Sequence, residues 1–168
     1  MNALLNQIKD ESVHHINLNL QRIGSCLDLV SEQEAWYRPN AHTNSIGNLV
    51  LHLCGNISQY ILSGLGGAPD RRRRDDEFDY RGVISKDELF QKLTGIVEKA
   101  TTIIKSLNEQ QVTALYKIQS FEMTGTGILV HVTEHFSYHT GQVALIVKLL
   151  KKVDIGFYAG IDLNRTNG

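Results

Sequence analysis

Cysteine and proline are nearly absent from this chain of 168 residues, which has two of each. The two cysteines, Cys26 and Cys54, form no CxxC pair. So few cysteines in a chain of this size argue against a disulfide framework, and thiols that stay reduced are the simpler account. Scarce proline leaves long stretches free to be helical. Charge of one sign is lacking too: 17 Lys+Arg against 18 Asp+Glu give a net charge of −1. Such a balance argues against a surface built to embrace nucleic acid or an anionic membrane. The run "RRRR" at 71–74 is answered at once by "DDEFD", so Asp70 through Arg81 holds five arginines and five acids. It reads as a neutral, solvated charged loop rather than a phosphate-binding patch. No apolar run reaches the length of about 20 residues that a bilayer span needs, and "VALIVKLLKK" is broken by Lys148. The opening "MNALLNQIKDES" meets acid and lysine within ten residues, without the apolar core of a signal peptide. The expectation is one soluble, cytoplasmic domain over 1–168, with no nucleic-acid or membrane partner.

What the sequence does have is helical periodicity. Apolar residues at helical spacing predict a first helix from about Asn2 to Val30, with Leu4, Leu5, Ile8, Ile16, Leu20, Ile23, Leu27 and Val30 on one side. "RPNAHTNS" supplies proline and cap residues, and Asn44 or Ser45 opens a second helix, "IGNLVLHLCGNISQYIL", that stops at "SGLGGAPD". "SKDE" at 85–88 is a capping box, Ser85 with Glu88, for a third helix running to about Leu107. A fourth spans roughly Thr126 to Lys152, with "MTGTG" as its start signal. Between these last two, "NEQQVTALYKIQSFEM" reads as a helical turn followed by a short extended stretch. With no long alternating strands, the reading is an all-α fold, and four amphipathic helices with long connections make a bundle the default.

The fourth helix carries "HVTEHFSYHTGQ", in which His131, His135 and His139 recur every four residues. Each residue of a helix advances by about 100°, so His135 and His139 share a face one turn apart and can converge on one metal ion. Alone the pair is weak, because a helical histidine near a core is usually a hydrogen-bonded structural one. The second helix strengthens it: His52 in "NLVLHLCGN" is flanked by Leu49, Leu53 and Asn56 and should point inward. Three neutral imidazoles with a vacant position suit catalytic zinc, and serve nickel or iron(II) nearly as well. Cys54, two residues beyond His52, is rotated about 200° away and is a poor rival ligand. His131 is left to a supporting or structural role. Gln142, three residues after His139, is placed to hydrogen-bond a ligand or a histidine, and an ordinary polar role explains it as readily. Tyr138 and Tyr60 are candidates to line a pocket, though bundle packing accounts for both. Gly141 inside a helix costs about 1 kcal/mol relative to alanine, which suggests close packing or ligand access. A zinc-protease reading fails, since the residue directly after His135 is Phe136 and not the glutamate that such a helix uses as base.

"EAWYRPNAHTNSIGNLVLHLCGN" together with "HFSYHTGQ" resembles the DinB/YfiT-like superfamily of metal-dependent enzymes, over nearly the whole chain. (This DinB is a damage-inducible bacterial protein, not the translesion polymerase.) The resemblance implies a four-helix bundle with up-down-down-up crossover connections, often a homodimer. It implies a divalent metal held by three histidines, which here fall on His52, His135 and His139. It also implies thiol chemistry, since relatives include bacillithiol- or glutathione-dependent S-transferases and a mycothiol-dependent maleylpyruvate isomerase. The leading expectation is therefore a thiol-dependent S-transferase-like enzyme acting on a small-molecule thiol and an electrophile, with zinc, nickel or iron. Two other readings stay open: a non-catalytic metal-binding or damage-response bundle, and a metal-dependent hydrolase. No residues selecting a particular thiol are identifiable.

Overall fold

The computed structural model describes residues 3–82 and 84–166. Its helices are α1 (Ala3–Leu29), α2 (Glu32–Ala35), α3 (Ile46–Ile57), α4 (Arg74–Asp79), α5 (Lys86–Ser106), α6 (Glu109–Thr113) and α7 (Gly125–Lys151). A π-helical segment, Ser58–Leu65, continues α3 without a break. The one departure from an all-helical chain, among the described residues, is an antiparallel hairpin of β1 (Leu115–Ile118) and β2 (Phe121–Thr124). It occupies the stretch expected to be extended. Its turn uses Gln119 at φ 56°, a left-handed conformation uncommon for a residue with a Cβ.

The helix starts follow local chemistry. Ser45 and Ser85 accept from the backbone N–H of Asn48 and Glu88, whose side chains reach back to the cap N–H, so both sequence-predicted starts are reciprocal caps. Thr124 caps α7 alone, accepting from the Gly127 N–H. In α5 only one stripe is buried: Leu89, Leu93, Val97, Ala100 and Ile104. In α3 every residue but Gly55 is buried, the mark of a helix enclosed on all sides. Burial of each such Leu or Ile contributes roughly 1.5–3 kcal/mol. The stripe expected on α1 is buried as read except that Ile8 is half-covered and Leu4 is 63% exposed. Leu4 lies one residue before Leu5, hence about 100° off the buried stripe.

The four long helices form a ring in which α1 packs on α7 and α5, and α3 packs on α5 and α7. Named contacts set their directions. Lys9, near the start of α1, donates to the Lys105 and Leu107 carbonyls at the end of α5, and Lys86 donates to the Leu27 and Val30 carbonyls. Those two helices are antiparallel. The Lys151–Glu34 ion pair ties the end of α7 to α2, which directly follows the end of α1, so α1 and α7 run parallel. His52 meets His139 while Tyr60 meets His131, so α3 and α7 are antiparallel.

The segment between α3 and α5 is folded onto the bundle. Asn48 donates to the carbonyls of Glu77 and Tyr80, pinning α4 against the start of α3. Trp36 donates to the Ile84 carbonyl, its ring seated where Gly47 and Gly82 leave no Cβ in the way. Among the described residues no helix is long and apolar enough to cross a membrane. Cys26 and Cys54 are free thiols, both buried.

Candidate metal centre

The antiparallel crossing of α3 and α7 brings His52, His135 and His139 together, with one ring nitrogen from each lying within 4.8 Å of the others. Nε2 of His52 is 2.9 Å from Nε2 of His135. The His139 ring stands edge-on to both, with centroids 4.9 Å from His52 and 4.5 Å from His135. Three nitrogens bound to a zinc 2.0–2.1 Å away would be spaced about 3.4 Å apart, so this grouping fits one ion with small ring movements. The i, i+4 spacing on α7 and the inward face of α3 produce the convergence that the sequence predicts.

The far nitrogens of two rings are fixed. Nδ1 of His52 lies 2.9 Å from Oε2 of Glu77. An ionised carboxylate only accepts, so this Nδ1 carries the proton and the Nε2 lone pair faces the other histidines. Nδ1 of His139 donates to Oε1 of Gln142 at 2.8 Å, with the same consequence for its Nε2. Gln142 thus supports a ligand, one of the two roles the sequence allowed. His135 has no such bond among the described residues.

Glu77 is itself held. Arg72 donates from Nε to Oε1 at 2.8 Å and from Nη2 to Oε2 at 3.0 Å, and its Nη1 donates to Gln59 at 2.9 Å. The two side chains are only 5% and 10% exposed. This overturns the reading of 71–74 as a uniformly solvated loop. Arg71, Arg73 and Arg74 do face solvent. Arg72 turns inward because the buried carboxylate of Glu77 requires a partner. Gly55 makes room for the pair: a Cβ there would collide with Glu77 and press on Arg72.

Electrostatics favour ligation. Burial, then the neighbouring His139, His52 and His131, push His135 from 6.5 down to about 3, so it is neutral near pH 7. Burial lowers His139 and His131 as well. Metal ligation needs that neutral form. Burial pushes the Glu77 carboxyl up, but its bonds to His52 and Arg72 outweigh this and hold it below the usual range. The Cys54 thiol is driven by burial to about 12 and offers no thiolate.

The other sequence candidates stand around this group. His131 stacks on His135 with centroids 5.4 Å apart and packs against Tyr60 at 4.4 Å; Asn56 Nδ2 donates to its Nε2 at 3.4 Å. It stays outside the trio. Asn56, one turn from His52, leaves a buried amide oxygen without a partner among the described residues. Tyr60 is buried and donates to Gln119 of the hairpin turn. Tyr138 is exposed and lies edge-on to His139 at 5.0 Å. Gly141 is exposed, and a Cβ there would meet nothing, so close packing does not explain it. Sequence reasoning missed Glu77, Arg72, Gln59 and Asn56. One signal was available: a glycine, Gly55, three residues beyond His52 inside a helix marks a close approach.

Fold and centre define a helical protein with a buried three-histidine group able to hold a metal ion. The chain belongs to the DinB-like family described as "Protein of unknown function (DUF1572)", which it matches over residues 4–159. Solved structures with the same fold include a DinB-like protein, YjoA, of Bacillus subtilis: TM-score 0.64, 19% identity, covering 89% of this chain and 94% of that one. A conserved protein of Enterococcus faecalis gives TM-score 0.72 at 16% identity, covering 91% and 99%. A DinB-like protein of Bacillus cereus gives 0.67 at 14%, covering 84% and 91%. No curated protein matches the chain.

Proposed function

We propose that this protein is a metal-dependent, thiol S-transferase-like enzyme. The observation that carries the reading is a ligand set of three imidazoles with no fourth side-chain ligand among the described residues. Structural zinc sites are closed by four protein ligands, whereas catalytic sites use three and leave a position for substrate. A divalent ion there, zinc or nickel foremost and iron as a further candidate, would lower the pKa of a small thiol such as bacillithiol or glutathione. The chain's own part is to favour the neutral form of His135 and His139 by burial, and to orient His52 and His139 through Glu77 and Gln142. The hydrolase reading is less well supported, because Glu77, the carboxylate bonded to the trio, is neutralised by Arg72 and is not free to act as a base.

The helix directions support an up-down-down-up four-helix bundle of DinB/YfiT type, with α1 and α3 on one diagonal and α5 and α7 on the other. A homodimer is part of the proposal, resting on exposed apolar residues such as Val130, Leu145 and Leu149 along α7. A stable interface should bury at least about 1,000 Å² in total. Light scattering that finds a monomer at micromolar concentration overturns it. The free thiols are compatible with a cytoplasmic setting.

The test is metal analysis of the purified protein, followed by turnover of a haloarene electrophile with each thiol. In the reaction sought, the thiol sulfur bonds to the ring carbon, halide leaves and the thiol proton passes to solvent. Wild type is expected to hold near one ion per chain and release halide only when thiol is present. His139→Ala is expected to lose metal and turnover together. Metal-dependent consumption without thiol favours the hydrolase, and metal without turnover of any electrophile favours a binding bundle.

A further inference from the structure

A cavity of about 500 Å³ shares Glu77 and Arg72 with the metal centre, yet none of the three histidines lines it. Its volume falls in the range of small-molecule sites. Apolar side chains, among them Leu51, Leu62 and Ile96, form much of its wall.

The charges around it are unevenly satisfied. Three acids line the cavity and all are engaged. Asp70 accepts from Gln59 and from the Arg72 backbone N–H, Asp76 pairs with Arg73, and Glu77 is held by Arg72. Two cations in the same lining, Arg71 and Lys92, make no hydrogen bond or ion pair among the described residues. The cavity therefore presents an apolar wall beside two uncompensated positive charges. We propose that it binds a small amphipathic organic anion, a carboxylate whose hydrocarbon body packs on that wall while Arg71 and Lys92 meet its charge. A neutral apolar molecule would leave both cations unused, and an inorganic anion would leave the apolar surface wet.

Octanoate is the probe, with octanamide as its neutral counterpart, titrated calorimetrically into the whole chain after removal of metal with a chelator. Saturable octanoate binding is expected, roughly tenfold tighter than octanamide, because each partly exposed ion pair supplies only a modest preference. The double variant Arg71→Glu, Lys92→Glu should abolish the preference while leaving octanamide affinity and melting temperature unchanged, since both side chains lie at the surface. His139→Ala should bind octanoate as wild type does, which separates this cavity from the metal centre. Absence of saturable binding, equal affinity for the two probes, a preference that survives the double reversal, or loss of octanoate binding in His139→Ala would each overturn the inference.

Discussion

Glu77 Oε2 sits 2.9 Å from Nδ1 of His52, so a carboxylate backs one imidazole of the trio and fixes which nitrogen it offers. The carboxylate arrives from a segment that is far from α3 in sequence, carried there by Asn48's bonds to the Glu77 and Tyr80 carbonyls. Carboxylate, histidine and metal in series raise ligand basicity and hold the ring in place. Removing Glu77 should therefore act in two ways. Glu77→Ala should weaken metal binding about 10–100-fold through the loss of that support. It should also strand the buried Arg72 guanidinium, at a cost of about 3–5 kcal/mol. Chelator competition and thermal melting measure the two effects separately. Wild-type metal affinity in a folded Glu77→Ala protein would show that the carboxylate serves only Arg72.

Two helical glycines should behave oppositely. Alanine is favoured over glycine in a helix by about 1 kcal/mol, so Gly141→Ala, whose Cβ meets nothing, should melt slightly higher and bind metal unchanged. Gly55→Ala should lose stability and metal affinity together, because its Cβ would occupy the place of the Glu77 carboxylate. A melting scan with and without added metal on both variants checks the ordering. If Gly55→Ala were the more stable of the two, Glu77 would have room that this packing denies it.

Much of this fold was legible in the sequence because its determinants are local. Ser85 and Glu88 are three residues apart, and His135 and His139 share a helix face by spacing alone. Inward placement of His52 followed from its apolar neighbours. The charged stretch at 70–81 misled for the opposite reason. Its neutral composition describes it as a whole, while the inward turn of Arg72 depends on a buried partner five residues away and on carbonyls gripped by Asn48. The π-helical continuation of α3 was equally hidden, since its apolar residues, Tyr60, Ile61 and Leu65, give no sign of the change in hydrogen bonding. Leu4 shows the limit of periodicity at a helix end, where one residue of phase decides burial.

Acid should destabilise the metal-free protein. His135 has its folded pKa lowered from 6.5 to about 3, so the folded state binds fewer protons than the unfolded chain in that interval. The stability from this group is whole above pH 6.5 and is lost as pH falls toward about 3. His139 and His131, also lowered, act in the same direction. Glu77, held below 4.5, adds a further loss once its unfolded counterpart begins to protonate. Melting temperature measured from pH 7 downward should fall, and His135→Asn should flatten the upper part of that slope. A flat profile between pH 7 and pH 5 in the metal-free wild type would contradict the burial of these neutral rings.

The three ligands are held unequally by hydrogen bonds at their far ring nitrogens: His52 by a carboxylate, His139 by the amide of Gln142, and His135 by none among the described residues. An amide oxygen is a weaker acceptor for an imidazole N–H than an ionised carboxylate, so it orients the ring with less effect on its basicity. Gln142→Ala should therefore lower metal affinity, toward the smaller end of the 10–100-fold range given for such supports, about tenfold. The cost in fold should be small, since Gln142 is only half-buried and alanine favours the helix. Gln142→Glu should bind metal at least as tightly as wild type, because it restores the bond and adds charge. Turnover with thiol should follow metal occupancy in both variants if Gln142 acts only through His139. Full occupancy in Gln142→Ala with a raised KM for thiol would instead place its amide in contact with the substrate.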